Sequence, residues 1–144
     1  MEPAYDHACQ VRIDPFPYLW ASPQRGDVVA LRCPEAKDRI ELKRVVGLPG
    51  EHVSWVGNHI WVNGAKLKES VARGDSYTPG DAFQIVDLGP GEYFVAGDNR
   101  PFSRDSRAYG PVWLSDILGK AVDPSTRTSE GRIRKQTLES HTLV

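Results

Sequence analysis

Glycine and proline interrupt this sequence too often for long helices to form. The 13 glycines and 11 prolines occupy 24 of its 144 residues, about 17% against the roughly 12% of an average chain. The runs between them are short and β-like, which predicts a turn-rich, single-domain β fold. GDVVALR (Gly26 to Arg32) is a turn followed by a β-branched run, and RIELKRVVG (Arg39 to Gly47) alternates as a half-buried strand does; the two are expected to pair. After Leu48-Pro49-Gly50, the runs His52 to Val56 and His59 to Val62 flank Gly57-Asn58, a hairpin signal, and Asn63-Gly64 marks a further tight turn. Alternation puts Val53 and Trp55 on one face of that hairpin. Residues 70–81 read as a surface loop. Phe83 to Leu88 and Tyr93 to Ala96 read as strands joined by Gly89-Pro90-Gly91, and the only helical hint is Trp113 to Leu118, opening near Ser115. From Asp123 onward the chain is polar and charge-mixed, which predicts a flexible tail over 123–144 behind a domain spanning 1–122.

Charge and composition exclude several function classes. Lys and Arg total 18 against 19 Asp and Glu, a net charge of -1, so no basic field draws the chain to nucleic acid. Apolar stretches such as Val28 to Leu31 are far shorter than the ~18 residues a membrane helix needs. Residues 1–20 carry Glu2, Asp6, Arg12 and Asp14 where a signal peptide would have an apolar core. Cys9 and Cys33 lack zinc-like spacing, even with His7 beside Cys9, so no metal site is expected; whether the two thiols pair is open.

Two segments carry chemistry-bearing residues. In KRVVGLPGE, Lys43 to Glu51, a lysine stands inside an apolar strand that ends in a Gly-Leu-Pro-Gly turn. GDNRPFSRDSRAYG, Gly97 to Gly110, crowds two carboxylates, three arginines and two serines into a loop after a strand. Each has a plain structural reading, as a solvated edge lysine and as a surface ion-pair network. Taken with MEP at Met1 and GDVVAL at Gly26, however, their order and spacing resemble the successive sequence boxes of the type I signal peptidases, the Ser/Lys peptidases that remove secretory signal peptides. The resemblance covers residues 1–122.

That resemblance implies an all-β fold, a coiled, mostly antiparallel barrel-like sheet with at most one short helix. It makes Lys43 the general base and Ser103 the residue whose hydroxyl orients it. It pairs Arg44 with Asp98, and Asp105 with Arg107, as supporting ion pairs. Leu42 would line shallow pockets for small substrate side chains, and Met1 would stand beside the nucleophile. No cofactor is implied. The partners would be signal peptides of secretory preproteins, bound in extended form with small residues such as Ala at the first and third positions before the cut. The catalytic domain would lie on the extracytoplasmic face of the cell membrane, held by an N-terminal anchor upstream of this chain. The nucleophile of the family is the serine directly before the methionine of its S-M-x-P box, and the sequence begins at that methionine. Pro101-Phe102 also departs from the polar residues usual in the family.

The dyad has its own physical logic. A lysine serves as a base only when neutral, and at a reference pKa of about 10.4 only about one in two thousand is neutral at pH 7. Burial against apolar neighbours such as Val45 and the substrate is what would bring it into the useful range. A lysine needs no orienting carboxylate, which suits a chain whose His52 and His59 read as surface residues. Other readings remain open: a peptidase whose nucleophile is Ser103 or Ser106, a non-catalytic β-domain that binds extended peptides by strand addition, and a self-cleaving repressor type, which the near-neutral charge does not favour. The sequence therefore predicts that the purified 144-residue chain folds but does not cleave an Ala-x-Ala signal peptide. Cleavage abolished by Ser103→Ala or Ser106→Ala, with the fold intact, would put the nucleophile inside the chain.

Overall fold

The computed structural model describes residues 11–68 and 81–122. In chain order the elements are β1 (Arg12–Asp14), α1 (Pro17–Trp20), β2 (Val28–Cys33), β3 (Ala36–Gly47), β4 (His52–Val56), β5 (His59–Val62), β6 (Ala65–Lys66), β7 (Gln84–Asp87), β8 (Glu92–Ala96), α2 (Ser106–Tyr109), β9 (Val112–Trp113), a 3-10 turn (Leu114–Asp116) and β10 (Ile117–Val122). They form two sheets with every pairing antiparallel. One has the order β1-β10-β2-β3-β8-β9 and the other β6-β5-β4-β7. The all-β expectation holds. The larger sheet does not close into a barrel, and β1 and β9 are its edges.

β2 explains much of the order. Its run is buried on both faces, Val29 and Leu31 entering one apolar cluster while Val28 and Ala30 enter another, so a near-continuous apolar stretch replaces simple alternation. β2 pairs with β3 from Val28↔Arg44 through Arg32↔Ile40, as the sequence predicts. The first cluster also takes Val45, Tyr93, Val95 and Val112. A third cluster, with Val46, Phe94 and Ala96 of the large sheet against Val53 and Ile60 of the small one, joins the two layers.

The predicted hairpin is present, with Val56 opposite His59 across Gly57-Asn58, and both Val53 and Trp55 pack on the cluster between the sheets. Asn63 and Gly64 have φ of 50° and 83°, the two left-handed residues of a type I′ turn. The Gly-Leu-Pro-Gly turn after β3 is closed by Glu51, whose carboxylate accepts from the Leu48 amide at 2.6 Å and from both Arg25 terminal nitrogens at 2.9 and 2.6 Å.

Two expectations are corrected. Two short α-helices are present rather than at most one. α1 starts on a proline at its first turn, and α2 is capped by Asp105. The helical hint at Trp113 to Leu118 is a single 3-10 turn that runs into β10. The strands either side of Gly89-Pro90-Gly91 are joined but not paired: β7 lies on β4 and β8 on β3, so this turn crosses from one sheet to the other. Most of the loop expected over 70–81, and the tail over 123–144, lie outside the described residues.

Gly47 stands where the two layers pack tightly against each other. A Cβ there would meet Val53 Cγ2 at 2.8 Å, Leu88 Cδ1 at 2.9 Å and Phe94 Cβ at 2.9 Å. Gly47→Ala is therefore expected to cost about 1–3 kcal/mol through overpacking, read as a lower urea midpoint at unchanged slope. An unaltered midpoint would show that the layers separate freely at this point.

Candidate active site

β3 presents different chemistry on its two faces, because side chains alternate along a strand. Lys43 is opposite Val29 and shares a face with Val45, both members of the first apolar cluster. Arg44 and Leu42 point to the other face. Lys43 is only 9% exposed, and its Nζ donates to Ser103 Oγ at 3.1 Å. Gly97 makes that approach possible, since a Cβ there would coincide with the Ser103 side chain and lie 3.6 Å from Lys43 Nζ.

The loop that carries Ser103 is held from below by two buried carboxylates. Asp98, fully buried, accepts from Arg44 Nε and Nη2 at 2.9 Å each, and Arg44 Nη1 donates to the Gly26 carbonyl at 2.8 Å. This pins the start of the loop to β3 beside the lysine. Asp105, also fully buried, accepts from Arg107 Nε and Nη2 at 2.9 and 2.8 Å, from the Gly97 amide at 3.0 Å and from the Arg107 amide at 3.1 Å. Arg107 reaches further, to the Arg100 carbonyl at 2.9 Å and to Asn58 Oδ1 at 3.1 Å, so the tip of the β4–β5 hairpin braces the loop. Burial alone would raise the pKa of Asp105; the hydrogen bonds and charge of Arg107, with the two amides, outweigh it and leave the group below its ordinary value.

The structure thus brings together Lys43 and Ser103, Arg44 and Asp98, Asp105 and Arg107. It does not bring the Leu42 side chain to them: Leu42 packs with Val28, Ala30 and Ala121 on the far face of β3. Met1 and Cys9 lie outside the described residues. Ser106 is buried, and its hydroxyl accepts from the Val95 amide at 2.9 Å. His52 and His59 belong to the small sheet, His52 on the surface against Asp87.

Two features escape sequence reasoning. Arg100, 4% exposed, donates to the Gly97 carbonyl at 2.7 Å; a buried arginine looks like its exposed neighbours in a polar loop. The second is a stretch of β3 edge that no described strand covers. β8 pairs with β3 only from Arg44 onward, so among the described residues no strand pairs with the earlier part of β3 on that side, up to the lysine. The backbone donors and acceptors of such an edge are the kind that an extended peptide can pair with. Among the described residues no group of three or more His, Cys, Asp or Glu is arranged to hold a metal, and no helix is long and apolar enough to cross a membrane.

Asp105→Asn is expected to lower stability at pH 7 by about 3 kcal/mol, because it leaves the largely buried Arg107 without its counter-charge. With a folded pKa below the unfolded one, the contribution of Asp105 is complete above the ordinary Asp range of about 3.9 and is lost as pH falls through the folded value. The gap between wild type and variant in chemical denaturation should therefore narrow at acid pH. A gap constant from pH 7 to pH 2 would show that the charge of Asp105 is not what holds the loop.

Residues 1–125 match the family model described as signal peptidase, peptidase S26. The chain is similar to signal peptidase I V of Bacillus subtilis (strain 168), 33% identical over 136 residues that cover 85% of this chain and 79% of that protein. It is also similar to signal peptidase IB of Staphylococcus aureus (strain Mu50 / ATCC 700699), 31% identical over 137 residues, 83% of this chain and 70% of that one. Among solved structures, the crystal structure of a signal peptidase I from Enterococcus faecalis V583 aligns with a TM-score of 0.56 at 34% identity, covering 69% of this chain and 97% of that chain.

Proposed function

Since the chain belongs to the type I signal peptidase family, peptidase S26, we propose that it is the catalytic domain of an enzyme that removes signal peptides from secretory preproteins with Lys43 as general base. The observation that carries this reading is the Lys43 amine, buried on its strand and 3.1 Å from the Ser103 hydroxyl, beside a strand edge that no described strand pairs with. In this reading the nucleophile is the serine that the family's S-M-x-P box carries directly before the methionine matched by Met1. The neutral Lys43 amine takes its proton as the serine oxygen attacks the scissile carbonyl. The resulting ammonium gives that proton to the departing amine, the C–N bond breaks, and an acyl-serine remains. Water then adds to the acyl group, losing its proton to Lys43; the acyl–oxygen bond to the serine breaks, the Lys43 ammonium returns that proton to the serine oxygen, and the signal peptide leaves as a carboxylate.

Ser103 holds the amine in line and does not form the acyl bond. Arg44–Asp98 and Asp105–Arg107 hold the loop that carries it. The substrate is an extended segment with small side chains at the first and third positions before the cut, and the domain works on the extracytoplasmic face of the membrane. The free edge of β3 also suits a second reading, a peptide-binding β-domain without catalysis; turnover separates the two.

In the full-length protein, Lys43→Ala should bring cleavage of an Ala-x-Ala substrate to near background, since loss of a general base typically costs about 10²–10⁴-fold. Lys43→Arg should do no better, because a guanidinium stays protonated. Ser103→Ala should cost less than either, through a looser lysine. Near-normal turnover in Lys43→Arg would exclude the Ser/Lys mechanism.

A further inference from the structure

We propose that Glu35 and Arg104 form a clamp that sets the position of Ser103 against Lys43. The role given to Lys43 and Ser103 above is the reading on which its catalytic meaning rests. Arg104 follows Ser103 directly, and Glu35 lies in the turn between β2 and β3, the hairpin that carries Lys43. Arg104 Nε donates to Glu35 Oε2 at 2.6 Å and Nη2 to Oε1 at 2.5 Å, across 69 residues of sequence. Beyond the Arg44–Asp98 pair at the base of the loop, the lysine-bearing hairpin and the serine-bearing loop are therefore joined inside by Lys43–Ser103 and outside by this pair. Two parallel N–H···O bonds between a planar guanidinium and a carboxylate fix orientation as well as distance.

The rest of the loop shows why such a clamp matters. Its base is held by buried groups, Asp98, Arg100 and Asp105. Its outward part has less support: Phe102 is 86% exposed, and the amides of Phe102 and Ser103 both turn back to the Asn99 carbonyl, at 3.1 and 2.9 Å. Within Pro101–Arg104, side-chain ties to another part of the fold run from Ser103 to Lys43 and from Arg104 to Glu35. Without the second, the tip keeps the first and a long 3.5 Å bond from Arg107 Nη2 to the Ser103 carbonyl. Both clamp residues are partly exposed, Arg104 at 61% and Glu35 at 37% of their side chains, so the pair adds little to global stability. Its effect is local order, placed one residue from the hydroxyl that meets the lysine. Arg104 and Glu35 are positioning residues; neither touches a reacting atom.

The test is amide hydrogen exchange on the 144-residue chain, with the Lys43 side-chain NMR signal, identified by its loss in Lys43→Arg, as the second readout. Glu35→Gln and Arg104→Gln should each speed exchange of the Phe102 and Ser103 amides by about three-fold, the size an exposed ion pair supports. Both should shift the Lys43 signal. The Val95 amide in the core and Tm should stay as in wild type. The charge-swapped protein, Glu35→Arg with Arg104→Glu, should restore both readouts. A further measurement uses the unmutated chain: raising salt from ~0.01 to ~1 M, which shortens the Debye length from ~30 to ~3 Å, should speed exchange at Ser103 in wild type and not in Glu35→Gln. Single variants that leave Ser103 exchange and the Lys43 signal unaltered, or a charge swap that restores neither, would overturn the clamp. None of these readouts needs peptidase turnover, so failure of the clamp and failure of the Lys43 mechanism are separate results.

Discussion

The site depends first on a carboxylate taken wholly out of water. Asp98 has no exposed surface, and both its oxygens are satisfied by Arg44. Such a pair is a poor source of net stability, because desolvating two ions offsets most of their attraction. Its value is that the alternatives are worse: any arrangement that separates the partners strands a buried charge, at about 3–5 kcal/mol. Since Arg44 follows Lys43 in sequence and Asp98 follows Gly97, keeping this pair together also keeps the base of the Ser103 loop beside the lysine.

The pair can act this way only because β3 is held in register. A slip of one residue would exchange the two faces of the strand, sending Lys43 toward Val28, Ala30 and Ala121 and Arg44 toward the cluster around Val29 and Tyr93. β2 resists that slip from both sides, since its valines and alanine are buried on both faces. An apolar run on one strand thereby decides which way a cation points on its neighbour. The irregularity between Val45 and Gly47 then lets Gly47 meet Phe94 at the crossing of the two layers.

What could be read from the chain follows from how far each signal reaches. The β2–β3 and β4–β5 pairings were legible because each hairpin has its turn residues between two patterned runs. The crossing at Gly89-Pro90-Gly91 was not: a turn between two strands looks the same whether the strands pair or part, and only packing of Phe94 against Val53 and Ile60 distinguishes them. α2 was hidden inside a polar loop, although Asp105 at its cap and Gly110 after its last residue are ordinary helix-end signals; at four residues it has no periodicity to detect. The partners Lys43–Ser103, Arg44–Asp98 and Asp105–Arg107 came from a family resemblance, and no spacing rule would have joined positions 43 and 103. Leu42 came from the same resemblance, and its side chain packs with Val28, Ala30 and Ala121 on the face of β3 away from the lysine. Glu35–Arg104 lay beyond both approaches, because a charge in a turn carries no mark of the distant loop it will meet.

The loop between Gly97 and Gly110 is thus graded from base to tip. Carboxylates without solvent contact hold the base, a half-exposed ion pair steadies the tip, and Phe102 stands in solvent. Local opening free energies follow such gradients, lowest where burial is least. For a site proposed to receive a chain segment along the edge of β3, this order is physically sensible. A loop rigid throughout would fix Ser103 but could not yield to an incoming strand, and one loose throughout would lose the lysine. Burial at the base keeps Lys43 and Ser103 within reach of each other, while solvent at the tip leaves the approach to them open to adjustment by weak forces.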